Sequence, residues 1–199
     1  MNAYDDALLE EIRSWREVLA RNIALRNPQL SQRDLNLAAQ RTIDRIVFLR
    51  ICEGRGIEPY GTLRSLLNGT NVYRRLGELF RRADHRYNSG LFHFTEEKGR
   101  GAADELTLSL TIDDKVLKGI VGNLYYPDSP YEFSVLPVAI LGQVYESTTA
   151  FTPRVAAAIS GPLPRSARAA DAVEALVLSC EGVCFSLPLL CVFLSAGGQ

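Results

Sequence analysis

The chain has 199 residues, with 22 Lys and Arg against 23 Asp and Glu, a net charge of −1, and 47% hydrophobic residues. That is enough apolar material for one buried core. Four cysteines, three of them after residue 179, suggest reduced thiols rather than a disulfide framework, and two histidines leave too few ligands for a zinc site.

Taken in chain order, residues 5–27 carry Leu8, Ile12, Trp15, Leu19 and Ile23 at helical spacing, with Asp5 or Asp6 as the expected N-cap and Pro28 just past the end. The start lacks a basic segment followed by an apolar one, so it does not read as a secretory signal. A second helix over 31–53 follows from Leu35, Ala39, Ile43, Ile46 and Leu49, widened by Ala38, Val47 and Phe48, and it is expected to be half buried. Ser31 with Asp34 three residues on has the pattern of a capping box, and Gly54-Arg55-Gly56 supplies the stop. Further helices are predicted over 61–68, 71–84, 113–124 and 137–146. Asp113 or Asp114 caps the fifth, Val116, Leu117, Ile120, Val121 and Leu124 form its buried face, and Pro137 opens the sixth. Only 106–112 alternates like a strand, and Lys98-Gly99-Arg100-Gly101 before it reads as a mobile loop. No internal repeat is detectable. The fold class is mainly α: a helical connector or bundle domain over 1–146 with at most one short strand pair, then a divergent tail over 147–199, poorly ordered or partly helical.

Several long phrases stand in a fixed order: LNLAAQRTIDRIVFLRICEGRGIEPY, TLRSLLNGTNVYRRLGELFRRADHRYNSGLFHF, and LTIDDKVLKGIVGNLYYPDSPYEFSVLPVAILGQVYE. Over residues 15–146 the chain resembles the single-chain restriction-modification proteins of the type IIG class, in the helical connector that joins nuclease to methyltransferase. The resemblance implies a system that methylates adenine N6 from S-adenosylmethionine and cuts unmodified DNA with Mg2+. It also implies that faces of these helices, among them Leu124-Tyr125-Tyr126 and Tyr131-Glu132-Phe133, pack on the methyltransferase unless they close the local core instead. The enzymatic phrases themselves are absent. Adenine-N6 methyl transfer needs a glycine-rich turn for the cofactor and an Asn-Pro-Pro-aromatic tetrapeptide for the flipped base, and no two prolines here are adjacent. The tail after Glu146 does not resemble the family, and arginines and acids thin out there, as a frameshift or rearrangement would produce. The expectation is a truncated, catalytically inert fragment with no catalytic, cofactor-binding or metal residue and no cofactor of its own. The alternative is a freestanding helical adaptor that binds DNA or another restriction-modification subunit.

Charge is unevenly spread. From Arg41 through Arg86 there are ten arginines against Asp44, Glu53, Glu58, Glu78 and Asp84. Arg74, Arg75, Arg81 and Arg82 flank Leu76, Leu79, Phe80 and Ala83, placing a basic stripe beside an apolar one on a single helix. Such a stripe either meets DNA phosphates or is a solvated face. A nuclease of the PD-(D/E)xK kind needs carboxylates and an acid-x-lysine on adjacent strands. Asp84 with Glu96-Glu97-Lys98 fits that spacing loosely, in what reads as a solvated loop, and Pro127-Asp128 with Glu132 fits less well. His85, His93 and Cys52 read as core or surface residues, and Cys180, Cys184 and Cys191 do not complete a metal set. The apolar stretch 183–196 is interrupted by Pro188 and falls short of the roughly twenty residues that span a bilayer; the expectation is no membrane partner and a cytoplasmic location, the alternative being a small helical domain anchored to a membrane by this tail.

Overall fold

A computed structural model describes residues 3–135, with residues 88, 97 and 99–101 excepted. Among the described residues the architecture is helical throughout: α1 Ala3–Arg26, α2 Gln32–Gly54, α3 Val72–Tyr87 and α4 Asp114–Gly122, with 3-10 turns at Arg64–Leu67 and Thr107–Ser109. The predicted helix 137–146, the boundary at 146 and the tail 147–199 lie outside the described residues. No described helix is long and apolar enough to cross a membrane, and the stretch 183–196 again lies outside them.

In α1 the predicted stripe is buried from Leu8 to Ile23 and packs on α2 and α4. Asp5 and Asp6 sit inside the helix rather than at its cap. The helix is already formed at Ala3, and alanine is the strongest helix former. At the other end Asn27 donates to the Ile23 carbonyl before Pro28.

The second helix is framed at both ends as its local sequence predicts. Ser31 Oγ accepts from the Asp34 amide at 3.1 Å. Gly56, at φ 70°, donates to the Glu53 carbonyl while Ile57 donates to that of Cys52, the paired bonds of a glycine-terminated helix. Gly54 serves a different need: a Cβ there would lie 3.0 Å from the Phe133 carbonyl carbon and the Ser134 amide nitrogen.

Between its ends α2 departs from expectation. It is buried on nearly every side from Thr42 to Glu53, including Asp44, Arg45, Arg50 and Glu53. Hydrophobic periodicity reads charged residues as a solvent face, yet here Arg45, Arg50 and Glu53 each bind a different part of the chain. Arg45 donates to the Leu91 carbonyl at 2.8 Å, Thr107 Oγ1 at 2.6 Å and Asp104 Oδ2 at 2.6 Å. Its guanidinium also lies 4.6 Å from the centroid of the Phe94 ring. Burial alone would raise the Asp104 pKa, but Arg45 and the two bonds from Thr107 hold it below the ordinary carboxylate value. Arg50 donates to the Leu124 carbonyl at 2.9 Å and lies over Tyr125 and Phe133. The Glu53 carboxylate accepts from the amides of Gly61 and Leu63 and from the Tyr125 hydroxyl.

Two other expectations change for related reasons. Residues 61–68 form only the short turn Arg64–Leu67, because Glu53 holds the amides before it. Residues 106–112 form the 3-10 turn Thr107–Ser109 and an extended stretch rather than a paired strand. Asn27 supplies what a partner strand would: its Nδ2 donates to the Thr111 carbonyl and its Oδ1 accepts from the Thr111 amide, both at 2.9 Å.

In α4 the face Leu117, Ile120 and Val121 is buried, with Leu124 just beyond it. Asp113 occupies the N-cap position, but neither aspartate caps α4 through its side chain. Asp113 accepts from Asn22 and Arg26 of α1, and Asp114 Oδ1 accepts from the Val72 amide at 2.8 Å, closing the N-terminus of α3. The aromatic stretches largely complete the core: Tyr125 and Phe133 are buried and Tyr131 half-buried, whereas Tyr126 is 81% exposed.

Two predictions follow from these buried charges. Arg45→Ala strips Asp104 of its buried partner and should cost about 3–5 kcal/mol in urea denaturation; a loss below about 1 kcal/mol would remove Arg45 from this role. Asp44, 5% exposed on α2, has its pKa pushed up by burial to about 7, against the opposing pull of Arg16. The folded state thus keeps a proton that the unfolded chain releases near pH 4, so this contribution is complete below about pH 4 and is lost as pH rises through about 7. The stability of the wild type relative to Asp44→Asn should fall by roughly 1–4 kcal/mol between pH 4 and 8; parallel pH profiles would refute the assignment.

Candidate nucleic-acid interface

The third helix presents Leu76, Leu79, Phe80 and Ala83 to the core. Residues at i, i+4, i+7 and i+8 from Arg74 share the opposite side, which places Arg74, Glu78, Arg81 and Arg82 outward together, all exposed. His85 continues this face one turn on, and its Nδ1 donates to the Arg81 carbonyl at 2.8 Å, an assignment that follows because a carbonyl can only accept.

The four predicted arginines share the helix but not one task. Arg75 donates to the carbonyls of Ser65, at 2.9 Å, and Asn68. It therefore closes the C-terminal end of the 3-10 turn Arg64–Leu67. Arg74 reaches Glu78 at 3.6 Å, an exposed pair of small energetic weight. Arg81 and Arg82 make no ion pair among the described residues. Arg86 joins the same surface, held by Glu58 at 3.5 Å and the Ile57 carbonyl at 2.9 Å.

The density of arginines in sequence overstates the surface charge. Arg45 and Arg50 are core residues, and Arg41 pairs with Asp104 at 3.2 Å. The exposed arginines that remain of this run are Arg64 and those on the outer face of α3.

Two cavities adjoin this face. One of about 310 Å3 includes Leu49, Leu63, Leu79, Arg82 and Arg86 in its lining. The other, about 250 Å3, lies on the opposite flank and includes Arg74, Gly77 and Arg81. Sequence reasoning named the arginines and missed Gly77; the only signal was a glycine inside a strongly amphipathic helix.

The nuclease-like constellation does not assemble on strands. Asp84 is on α3, 8% exposed, and its Oδ2 accepts from the Phe94 amide at 3.0 Å. It anchors the turn that follows the helix instead of standing in a solvated loop. Glu96 and Lys98 are exposed, and Glu97 lies outside the described residues. Asp128 and Glu132 are likewise exposed. No group of three His, Cys, Asp or Glu side chains among the described residues is arranged to hold a metal. His93 and Cys52 are buried, whereas Cys180, Cys184 and Cys191 lie outside the described residues.

Fold and surface together define a helical scaffold tied by buried charges, with a basic outer helix and without an assembled catalytic cluster among the described residues. It is similar to part of a combined restriction and modification protein. Over 142 residues the chain is 36% identical to the type II restriction enzyme and methyltransferase RM.Eco57I of Escherichia coli. The matched stretch takes in 71% of this chain and 13% of that protein. No family model and no solved structure matches the chain.

The division of labour on α3 is measurable in stability alone. Arg75→Ala should cost about 1–2 kcal/mol through its lost bonds to carbonyls, while Arg82→Ala should stay within about 0.5 kcal/mol. Equal urea midpoints for the two variants would contradict it.

Proposed function

We propose that this chain is the helical connector of a restriction-modification protein of the type IIG kind, a truncated fragment of a system that methylates adenine N6 and cleaves DNA. In this reading it carries no catalysis of its own. The single observation behind the proposal is the 142-residue likeness to a restriction enzyme and methyltransferase, which takes in 71% of the chain. Inertness is supported by the sequence: an Asn-Pro-Pro-aromatic tetrapeptide is absent, so the polar cradle for a flipped adenine is not encoded here. S-adenosylmethionine and Mg2+ belong, on this reading, to methyltransferase and nuclease units and not to these residues. The connector packs against the methyltransferase or another subunit of the system and works in the cytoplasm, where its DNA is. Tyr60, 63% exposed, Tyr126 and Val135, 72% exposed, offer apolar surface for that packing.

A second reading, favoured by the exposed arginines of α3, is an adaptor that holds DNA through its phosphates. Each phosphate neutralised releases counterions, so affinity falls steeply with salt. Calorimetry on the full chain separates these readings. We expect S-adenosylmethionine not to bind; saturable binding would defeat the inert-connector reading. If α3 contacts DNA, duplex binding weakens with salt and Arg74→Ala/Arg81→Ala/Arg82→Ala weakens it at least tenfold, with Arg75 left in place to preserve the fold. Unchanged affinity in that variant would defeat the adaptor.

A further inference from the structure

The cleft of about 250 Å3 lies between the outer face of α3 and the extended stretch that follows Thr107–Ser109. Asn71, Arg74, Gly77, Arg81, Leu108 and Asp114 contribute to its lining. Arg74 stands three residues before Gly77 and Arg81 four after it, so the two arginines flank the glycine along one side of the helix.

Glycine is a poor helix former, and packing does not demand it at this position. A Cβ on Gly77 would meet Leu108 Cδ2 at 3.4 Å and Arg81 Nη1 at 4.0 Å, ordinary contact distances. Its φ is not among the positive ones. What glycine does provide is close access to the backbone between two guanidinium groups. Asp114, at the cleft's end, directs its Oδ1 to the Val72 amide, and the two guanidinium groups outnumber its single negative charge.

We propose that this cleft seats one phosphodiester group of DNA, with Arg74 and Arg81 as its clamps and Gly77 as the opening that admits it. The inference rests on the DNA-contact reading above and narrows it to a place. Planar guanidinium forks match pairs of phosphate oxygens. A polymer backbone running along α3 would meet Arg82 next, on the same exposed face. A free nucleotide fits less well, because the aromatic ring at the cleft, Tyr73, is buried and its hydroxyl donates to the Thr107 carbonyl, leaving no face on which a base can stack.

The test is titration of the full chain and its variants with a short duplex over a range of salt, with thermal melting alongside. Gly77→Leu fills the opening without removing a charge. It should weaken duplex binding about tenfold and lower the slope of log K against log salt by about one. Gly77→Ala fits the available space, keeps the fold if leucine does not, and should weaken binding in the same direction. If both variants bind as the wild type does while Arg74→Ala/Arg81→Ala/Arg82→Ala loses binding, the DNA reading stands and the cleft is not the seat. If the wild type shows no salt-dependent binding, both fall. Displacement of the duplex by micromolar deoxyadenosine monophosphate would reassign the cleft to free nucleotides and overturn the proposal.

Discussion

The buried guanidinium of Arg45 is the interaction on which the rest of the described structure depends. It leaves α2 and fixes three points of the segment after α3: the Leu91 carbonyl, Asp104 and Thr107. That segment has little regular structure of its own, so its path is set by these bonds and by burial of Phe92 and Leu110. Taking a charge out of water is costly, and the cost is offset here because the partners are a carboxylate, a carbonyl and a hydroxyl, with aromatic rings around the cation. Arg50 and Glu53 repeat the arrangement toward the C-terminal end of α2, where they hold Leu124, Gly61, Leu63 and Tyr125. One helix thereby organises three separate connections.

This arrangement explains why the arginines of the region fall into distinct groups. Those whose Cα positions face inward on α2 serve as hubs for carbonyls and carboxylates. Arg75 closes a 3-10 turn, and Arg86 holds the loop at Ile57 and Glu58. Arg74, Arg81 and Arg82 remain exposed together on the outer side of α3. A scaffold that secures its loops internally holds such a set in fixed positions.

The capping residues show the same economy. A side chain placed by sequence to close its own helix is used instead to close another: Asp114 serves α3, and Asp113 ties α4 to α1 through Asn22 and Arg26. Asn27 likewise bonds both backbone groups of Thr111. These exchanges connect helices that lie far apart in the chain.

Local pattern was sufficient for the four described α-helices and for both ends of α2. The apolar spacing in α1 and α2, the Ser31 cap, the Gly56 stop and the buried face of α4 each depend on residues within a turn or two of one another, and each was legible in the sequence. The likeness to restriction-modification proteins was legible too, because it resides in long ordered phrases. The alternation at 106–112 misled, since a strand requires a partner and that partner proved to be the side chain of Asn27. The charges of α2 misled for the same reason: whether Arg45 faces water or Asp104 is decided by residues about sixty positions away. Of the four arginines named on α3, sequence could say that they share a helix. Only tertiary structure could separate Arg75, bound to the preceding turn, from Arg74 and Arg81 beside the Gly77 cleft, because hydrogen-bond partners and cavities are created when distant segments pack.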